Sequence, residues 1–288
     1  MRKRRISYLG ALGLALALAI PGTAFAGGTQ SVEAGFLPEF NANIPQPPPT
    51  ANIGGKHSKA GTLYTRLFLE NYSDPVPEAG VFDIHAPEEL KFNTKGLDQC
   101  DPATIRNQSA DQARALCPKA VIGQGFAEAY LGGPTLPGDV LLLNGTKQNG
   151  FSTVLFHSTA GTPVTLVAEM QQSPLSGYGT LFRTLVAQSA GGAVPDGIPI
   201  VDTGFTNSKK YTDKRLAKKA KKLLKKAKRA SGSKAKRLKK KARRLKKKSK
   251  KSWVQGRCTD GELTVRIDVT YVGGSSQPQS DTATQQCT

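Results

Sequence analysis

The clearest pattern along the chain is a short-range alternation of apolar and polar residues, interrupted by Gly, Pro and Asn. In residues 62–71 one face of the alternation is Leu63, Thr65, Leu67 and Leu69, and in residues 262–272 it is Leu263, Val265, Ile267 and Val269. A period of two predicts β-strands with one buried face. Shorter β-branched or aromatic runs at 140–145, 152–158, 163–170 and 180–188 predict further strands. The pattern predicts a mainly β fold, an antiparallel β-sandwich or jelly-roll-like body.

A short helical segment interrupts the predicted strands at residues 99–118. Asp101 is a favoured N-cap, and Pro102 suits the first helical position. Ser109 and Gln112 have the spacing of a capping box. We therefore expect short helical structure here, flanked by two cysteines.

Residues 209–251 follow a different pattern, in which Leu and Ala recur at alternating spacings of four and three. The stripe consists of Leu216, Ala220, Leu223, Ala227 and Ala230, then Ala235, Leu238, Ala242 and Leu245. Ser-Gly-Ser at 231–233 separates the halves, which predicts a Lys-rich helical hairpin with helices about 25 Å long. Because the stripe is mostly Ala and like charges repel, we expect marginal helicity in the isolated segment and more helix with bound anions.

The charge is concentrated in this same segment. Residues 209–251 hold 25 of the 41 Lys and Arg residues and one of the 21 acids. Four more cations lie in the first five residues, so the rest of the chain has 12 cations against 20 acids. The protein is therefore an acidic body with a strongly basic insertion.

The basic insertion predicts contact with polyanions through charge alone, since it has no aromatic residue between Tyr211 and Trp253 to stack bases and no Asn or Gln to read them. The predicted contact residues are Lys218, Lys219, Lys221, Lys222, Lys225, Lys226, Lys236, Arg237, Lys239, Lys240, Lys241, Arg243, Arg244, Lys246, Lys247 and Lys248. Expected partners are anionic cell-envelope polymers or lipids, or extracellular nucleic acid bound non-specifically. The alternatives are a solvated spacer and an arm that folds back onto the acidic body.

The first 26 residues have the three parts of a secretory signal peptide. Four cations are followed by an apolar run at 6–20, and Ala24 and Ala26 fit an A-x-A cleavage site. The pattern predicts cleavage after Ala26 and a secreted or cell-envelope location, without a transmembrane segment in the mature chain. An uncleaved anchor is the alternative.

The remaining boundaries follow from composition. Residues 27–60 predict an extended Pro-rich segment, with proline concentrated at 45–49. The β-rich body then comprises residues 61–208 and 252–288, and the helical insertion comprises 209–251.

The four cysteines are Cys100, Cys117, Cys258 and Cys287. An even number in an exported chain predicts disulfides, and proximity in sequence favours Cys100–Cys117 and Cys258–Cys287. Zinc binding is the competing interpretation, and the absence of any C-x-x-C spacing disfavours it.

Several motifs resemble those of a family of exported bacterial proteins of unknown function. They are an FN-x-x-GL-x-x-C motif at 92–100, a V-x-G-x-G strand after the second cysteine, and a late Arg-Cys pair at 257–258 with a terminal cysteine. The resemblance covers residues 80–135 and 253–288 and implies no activity. In it, the basic insertion corresponds to an enlarged hairpin loop.

The sequence contains no recognisable catalytic, metal-binding or cofactor motif, and His57, His85 and His157 lack ligand spacing. We therefore expect a non-enzymatic protein without a cofactor. One alternative is a carbohydrate- or ligand-binding β-sandwich, which clustered exposed aromatics such as Tyr64, Tyr130 and Tyr178 would favour. Another is a secreted glycoside hydrolase, which needs converging carboxylates, or a different hydrolase built on a Ser/His pair.

Overall fold

The structure is a computed structural model. It describes residues 29–38, 48–54, 57–70, 76, 78–130, 133–186, 197–272 and 279–288. The predicted signal peptide and its cleavage site after Ala26 lie outside the described residues and stay predictions.

The described elements are mostly strands. The strands are β1 (Thr29–Leu37), β2 (Thr50–Ala51), β3 (Lys59–Ala60), β4 (Thr62–Glu70), β5 (Glu78–Pro87), β6 (Leu90–Phe92), β7 (Val121–Tyr130), β8 (Thr135–Gln148), β9 (Phe151–Ser158), β10 (Val164–Gln172), β11 (Tyr178–Leu185), β12 (Ile200–Asn207), β13 (Lys210–Thr212), β14 (Lys250–Ser252), β15 (Val254–Gly256), β16 (Glu262–Val272) and β17 (Gln279–Cys287). The helices are α1 (Pro102–Ile105), α2 (Ala110–Leu116), α3 (Lys214–Lys228) and α4 (Gly232–Ser249). The prediction of a mainly β fold is confirmed.

Most of the strands belong to one sheet. Within the described residues, twelve strands pair in the order β1-β4-β12-β7-β8-β9-β10-β11-β5-β16-β17-β2. All of these pairs are antiparallel except β17 with β2. A smaller sheet, β3-β15-β6, and a two-stranded ribbon, β13-β14, complete the β structure.

The large sheet curls until it is nearly closed, so that β1 lies against β17. Side chains of β17 bind the backbone of β1 across this junction. The Val32 N–H donates to Asp281 Oδ2 at 2.8 Å, and the Phe36 N–H donates to Gln285 Oε1 at 2.7 Å. One continuous sheet therefore supplies the facing layers that enclose the core.

The predicted alternation places one face of each strand in that core. In β16, Leu263, Val265, Ile267 and Val269 are all buried. In β4, the face containing Leu63, Thr65 and Leu67 is also buried, and Arg66 and Phe68 of the other face are partly exposed. The strand predictions for both segments are confirmed.

The helical segment and the disulfides also match expectation. The Ala103 N–H donates to Asp101 Oδ1, and the capping box of Ser109 and Gln112 is present. Disulfides join Cys100 to Cys117 and Cys258 to Cys287, each with a Cα–Cα distance of 5.7 Å. The first fastens α2 beside β8, and the second fastens the start of β16 to the end of β17.

The body begins earlier than the sequence predicted. Residues 27–60 were expected to form an extended Pro-rich segment, but within them β1 pairs along its whole length with β4. Phe36 of β1 is fully buried in the main core. The apolar face of β1 is thus part of the body. In the chain, residues 38–61 lie between β1 and β4 and include the short strands β2 and β3.

The V-x-G-x-G motif has a packing explanation. It forms the start of β7, where Gly123 and Gly125 lie directly against β12. A Cβ atom on Gly125 would approach the Gly204 carbonyl oxygen to 1.9 Å. These glycines therefore permit close strand approach.

Candidate functional site

The basic insertion forms the predicted helical hairpin. Helices α3 and α4 pack against each other along the Leu/Ala stripe, where Ala220, Ala227 and Ala242 are buried. The leucines of the stripe, such as Leu223 and Leu238, are half-buried. Small residues at the contact let the two helices approach closely, which leaves all the long basic side chains on the outside.

The outward surface of this hairpin, called here the basic surface, consists of the sixteen side chains predicted from the sequence. They are Lys218, Lys219, Lys221, Lys222, Lys225, Lys226, Lys236, Arg237, Lys239, Lys240, Lys241, Arg243, Arg244, Lys246, Lys247 and Lys248, and every one is exposed. Among the residues that the structure describes, none of these side chains lies within ion-pair distance of a carboxylate. Their charge is available to an external anion.

The hairpin leaves the body through the β13–β14 ribbon. Thr212 pairs with Lys250, and the Asp213 N–H donates to the Ser249 carbonyl at 2.8 Å. The carboxylate of Asp213 then accepts from the N–H groups of Arg215 and Leu216 and caps α3. Helix α3 therefore begins, and helix α4 ends, at hydrogen-bonded backbone next to the ribbon.

Asp213, the acid of the insertion, is 2% exposed. Burial opposes its ionisation, but hydrogen bonds from the Leu216 N–H and from Lys251 outweigh burial and hold the pKa of its carboxyl below the ordinary value of 3.8. Lys251 Nζ lies 3.4 Å from Asp213 Oδ2. Gly96 packs so closely that a Cβ atom there would lie 2.8 Å from Asp213 Cγ.

Two aromatic residues fix the ribbon to the body. The Tyr211 hydroxyl donates to the Asn93 carbonyl at 3.0 Å and lies 3.2 Å from the Lys95 carbonyl. Trp253, directly after β14, is 1% exposed, and its indole N–H donates to Asn207 Oδ1 at 3.2 Å. The base of the hairpin is therefore a buried, hydrogen-bonded part of the fold.

The lysine that opens the insertion has a different role from those of the basic surface. Lys209 Nζ donates to the carbonyl oxygens of Lys119, at 2.8 Å, and Val121. Burial lowers the pKa of this amine. Lys209 is thus a structural lysine that ties the chain to β7.

Comparison with family models and with curated proteins does not identify a family for this chain. The chain matches no family model and no curated protein. The resemblance to exported bacterial proteins of unknown function therefore stays a prediction.

The aromatic cluster expected of a carbohydrate-binding face is not formed by the three tyrosines considered. They come from β4, β7 and β11, which are not neighbours in the sheet. Tyr64 is 4% exposed, and its hydroxyl lies 3.4 Å from Glu33 Oε2. Tyr178 packs edge-on against His85 with a centroid distance of 5.7 Å. These rings have structural contacts and form no common platform.

The structure does bring together a Ser, a His and an Asp that no sequence pattern connects. Ser173 Oγ lies 2.9 Å from His85 Nδ1, and His85 Nε2 lies 3.3 Å from Asp268 Oδ2. They come from β5, β16 and the turn after β10, and no local motif marks them. Burial opposes ionisation of Asp268, but hydrogen bonds from His85, Ser280 and Arg266 outweigh it and lower the pKa of Asp268 to about 2.

The surroundings of Ser173 favour a structural network. Ser173 is 7% exposed, and its hydroxyl oxygen accepts from the Leu175 N–H at 3.2 Å in the turn. His85 is 3% exposed. The three side chains satisfy one another's polar atoms, whereas nucleophilic catalysis also needs a hydroxyl open to substrate and donors for an oxyanion.

The other histidines lie apart from this network. His157 is fully buried in β9, bonded to Thr165 Oγ1 and the Gln108 carbonyl, and burial lowers its pKa. His57 is exposed near β3. Within the described ranges, no group of three or more His, Cys, Asp or Glu side chains is arranged to hold a metal ion.

A cavity of about 60 Å³ lies inside the curled sheet, lined mainly by apolar residues such as Leu67, Phe156 and Phe205. The hydroxyl of Thr65, which lines it, has no hydrogen-bond partner among the described residues. A cavity of this size suits a few water molecules, whereas pockets for substrate-sized ligands are several times larger.

Among the described residues, no helix is long and apolar enough to cross a membrane.

Proposed function

We propose that this chain is an exported, non-enzymatic protein of the cell envelope or extracellular space whose basic surface contacts anionic polymers. The observation that carries the proposal is the arrangement of sixteen exposed cations on a helical hairpin. Coulomb attraction to a polyanion, with release of its counterions, needs no shaped pocket or base-reading side chains.

The buried base of the hairpin supports this role over that of a solvated spacer. A spacer needs neither a buried capping carboxylate nor an indole hydrogen-bonded to the body. Asp213 and Trp253 instead hold the hairpin at a defined place on the fold. A fixed hairpin presents its cations to a ligand with less ordering cost than a flexible chain does.

The contacts also argue against an arm that folds back onto the acidic body. Among the described residues, ion pairs between the insertion and carboxylates are found near its base, at Lys214–Asp98 and Lys251–Asp213. The basic surface beyond the base makes no ion pair with any carboxylate that the structure describes.

Salt-dependent retention on purified bacterial envelope tests the proposal. The full chain is compared with a variant in which residues 214–248 are replaced by Asn-Gly, which suits a two-residue turn between the hydrogen-bonded residues Asp213 and Ser249. We expect the full chain to be retained at low salt and eluted at moderate salt, and the deletion variant to pass through. Equal retention of the two folded proteins would refute the proposed role of the basic surface.

A second measurement tests the non-enzymatic part of the proposal. Wild-type protein and a Ser173→Ala variant are treated with a fluorophosphonate, which modifies activated serines. We expect no labelling of either protein, because Ser173 is buried and already hydrogen-bonded. Labelling of wild type that is lost in Ser173→Ala would establish a serine nucleophile and contradict the proposal.

A further inference from the structure

A groove of about 420 Å³ lies at the base of the hairpin. One wall is the β13–β14 ribbon, and the other includes Ala60 of β3 and Gln255 of β15. The volume is within the range of pockets that hold small organic ligands. The described lining contains three lysines and no acidic residue.

The register of the ribbon places complementary groups on one face of it. Lys210 is paired with Ser252, and Thr212 is paired with Lys250. Residues opposite each other in an antiparallel pair share a face, and so do residues two positions apart. Two lysine side chains and two hydroxyl-bearing side chains therefore project from the same face of the ribbon.

The alternate pair of the ribbon is engaged elsewhere. Tyr211, opposite Lys251, donates its hydroxyl hydrogen to the body at Asn93, and Lys251 contacts Asp213. Lys210 and Lys250 line the groove with exposed side chains, whereas Lys251 also helps to hold the base.

Ser252 gives an independent indication of a ligand. It is 2% exposed and lines the groove, yet its hydroxyl has no hydrogen-bond partner among the described residues. Its backbone is fixed, because its carbonyl accepts from Asn93 Nδ2 at 3.1 Å and its strand leads directly into buried Trp253. A buried hydroxyl without a partner is costly and calls for an explanation.

We propose that this groove is a binding site for a phosphate group, with Lys210 and Lys250 supplying charge and Ser252 supplying a buried hydroxyl donor. Phosphate oxygens accept hydrogen bonds from ammonium and hydroxyl groups alike, and lysine binds phosphate as a point charge. The inference rests on the proposed function. The ribbon that lines the groove leads directly into α3 and follows directly on α4, so the groove lies at the base of the hairpin that carries the basic surface.

The source of the phosphate is a unit of an anionic polymer with glycerol- or sugar-sized repeats. A free phosphate monoester has the same recognisable group but makes no contact with the basic surface. A short oligomer of glycerol phosphate should therefore bind more tightly than glycerol 3-phosphate to the full chain. Equal affinities would contradict the polymer and identify a free monoester as the ligand.

The decisive comparison uses two double variants with the same change in charge. Lys210→Gln with Lys250→Gln removes the lysines of the groove, and Lys225→Gln with Lys226→Gln removes two lysines of the basic surface. Calorimetric titration with glycerol 3-phosphate at constant ionic strength should show saturable binding to wild type. The groove variant should lose about tenfold or more in affinity, whereas the control variant should stay close to wild type.

Ser252→Ala provides a test that does not depend on charge. Removing a hydroxyl without a partner should leave the thermal unfolding temperature unchanged or raise it, while glycerol 3-phosphate affinity falls several-fold. A clear loss of thermal stability would show that the hydroxyl has a protein partner, and the argument for the site would fail.

A long polyphosphate chain separates this inference from the proposed function. If wild type binds polyphosphate with steep salt dependence but shows no saturable binding of glycerol 3-phosphate, the groove is not a phosphate site and the basic surface retains its role. The same conclusion follows if the two double variants lose glycerol 3-phosphate affinity equally. If polyphosphate does not bind at all, the proposed function itself is wrong.

Discussion

The body and the hairpin of this protein treat charge in opposite ways. On the outer face of the sheet, guanidinium groups contact carboxylates of neighbouring strands, as in Arg66–Asp202 at 2.6 Å and Arg183–Asp83 at 2.5 Å. On the hairpin, sixteen exposed cations have no such contact among the described residues. Charges in the body therefore contribute contacts between strands, whereas those of the basic surface are left exposed, as the proposed contact with an anionic polymer requires.

The largest expected effect comes from neutralising one helix of the hairpin. The change to Gln is made at Lys236, Arg237, Lys239, Lys240, Lys241, Arg243, Arg244, Lys246, Lys247 and Lys248 of α4. Polyphosphate affinity at low salt should fall by roughly two orders of magnitude or more, with a shallower dependence of log K on log salt, because fewer counterions are released. Binding measured across a salt series gives both quantities.

The control for this variant is its own helicity. Gln is a good helix former, so far-ultraviolet circular dichroism should change little. If the folded variant kept the wild-type dependence of log K on log salt, the cations of α4 would not be the ones that bind polyphosphate.

The second prediction alters the body and leaves the hairpin charge intact. Cys258→Ser with Cys287→Ser opens a link across 29 positions of sequence. The free energy of unfolding should fall by about 3 kcal/mol, because the unfolded chain regains loop entropy. Denaturant unfolding measures this loss, while the polyphosphate salt slope of the folded variant should equal that of wild type. A changed slope would mean that binding depends on the body as much as on the hairpin.

The third prediction concerns the junction between the two regions. Asp213→Ala removes the cap of α3 and the contact with Lys251, and should destabilise the protein by about 1–2 kcal/mol. Asp213→Asn keeps a capping oxygen without the charge and should cost less. Hydrogen exchange in the first turn of α3 would report both effects.

The pH dependence of this junction has a definite sign. The pKa of Asp213 is lower in the folded protein than its ordinary value of 3.8. Its charge therefore stabilises the fold fully above pH 3.8, and that contribution is lost as the pH falls from there through the folded pKa. The stability difference between wild type and Asp213→Asn should shrink over this range, and a difference that persists at lower pH would contradict the assignment.

The smallest expected effect comes from an ion pair of the body. Arg183 lies 2.5 Å from Asp83 across β11 and β5, but its side chain is 45% exposed. Arg183→Gln should lower the free energy of unfolding by less than about 1 kcal/mol, since solvent screens exposed pairs. Its polyphosphate affinity should equal that of wild type. A loss of affinity comparable to that of the α4 variant would contradict the claim that binding depends on the hairpin and not on the body.

The sequence predicts those parts of the fold whose signals are local. The alternation in β4 and β16, the caps at Asp101 and Ser109, and the Leu/Ala stripe of the hairpin each depend on neighbouring residues. Proximity in sequence also favoured the disulfide pairs that the structure shows.

The features that the sequence did not predict depend on distant contacts. The strand β17 is rich in Gln, Thr and Ser, so its sequence lacks an apolar face, and it is held by pairing with β16. The phosphate groove depends on the register of Lys210 with Ser252, 42 positions apart in the numbering. The contact of Ser173 with His85 spans 88 positions. No periodicity within one segment predicts such pairs.

The pairing of Thr212 with Lys250 makes the hairpin a module. The chain leaves the body and returns to it at adjacent backbone positions, so the length between them is free to change by whole helical turns without moving a strand. Evolution can lengthen, shorten or recharge the hairpin as one unit. A protein engineer has the same freedom, with the turn at Ser231 as a place for new chain termini or for an inserted domain.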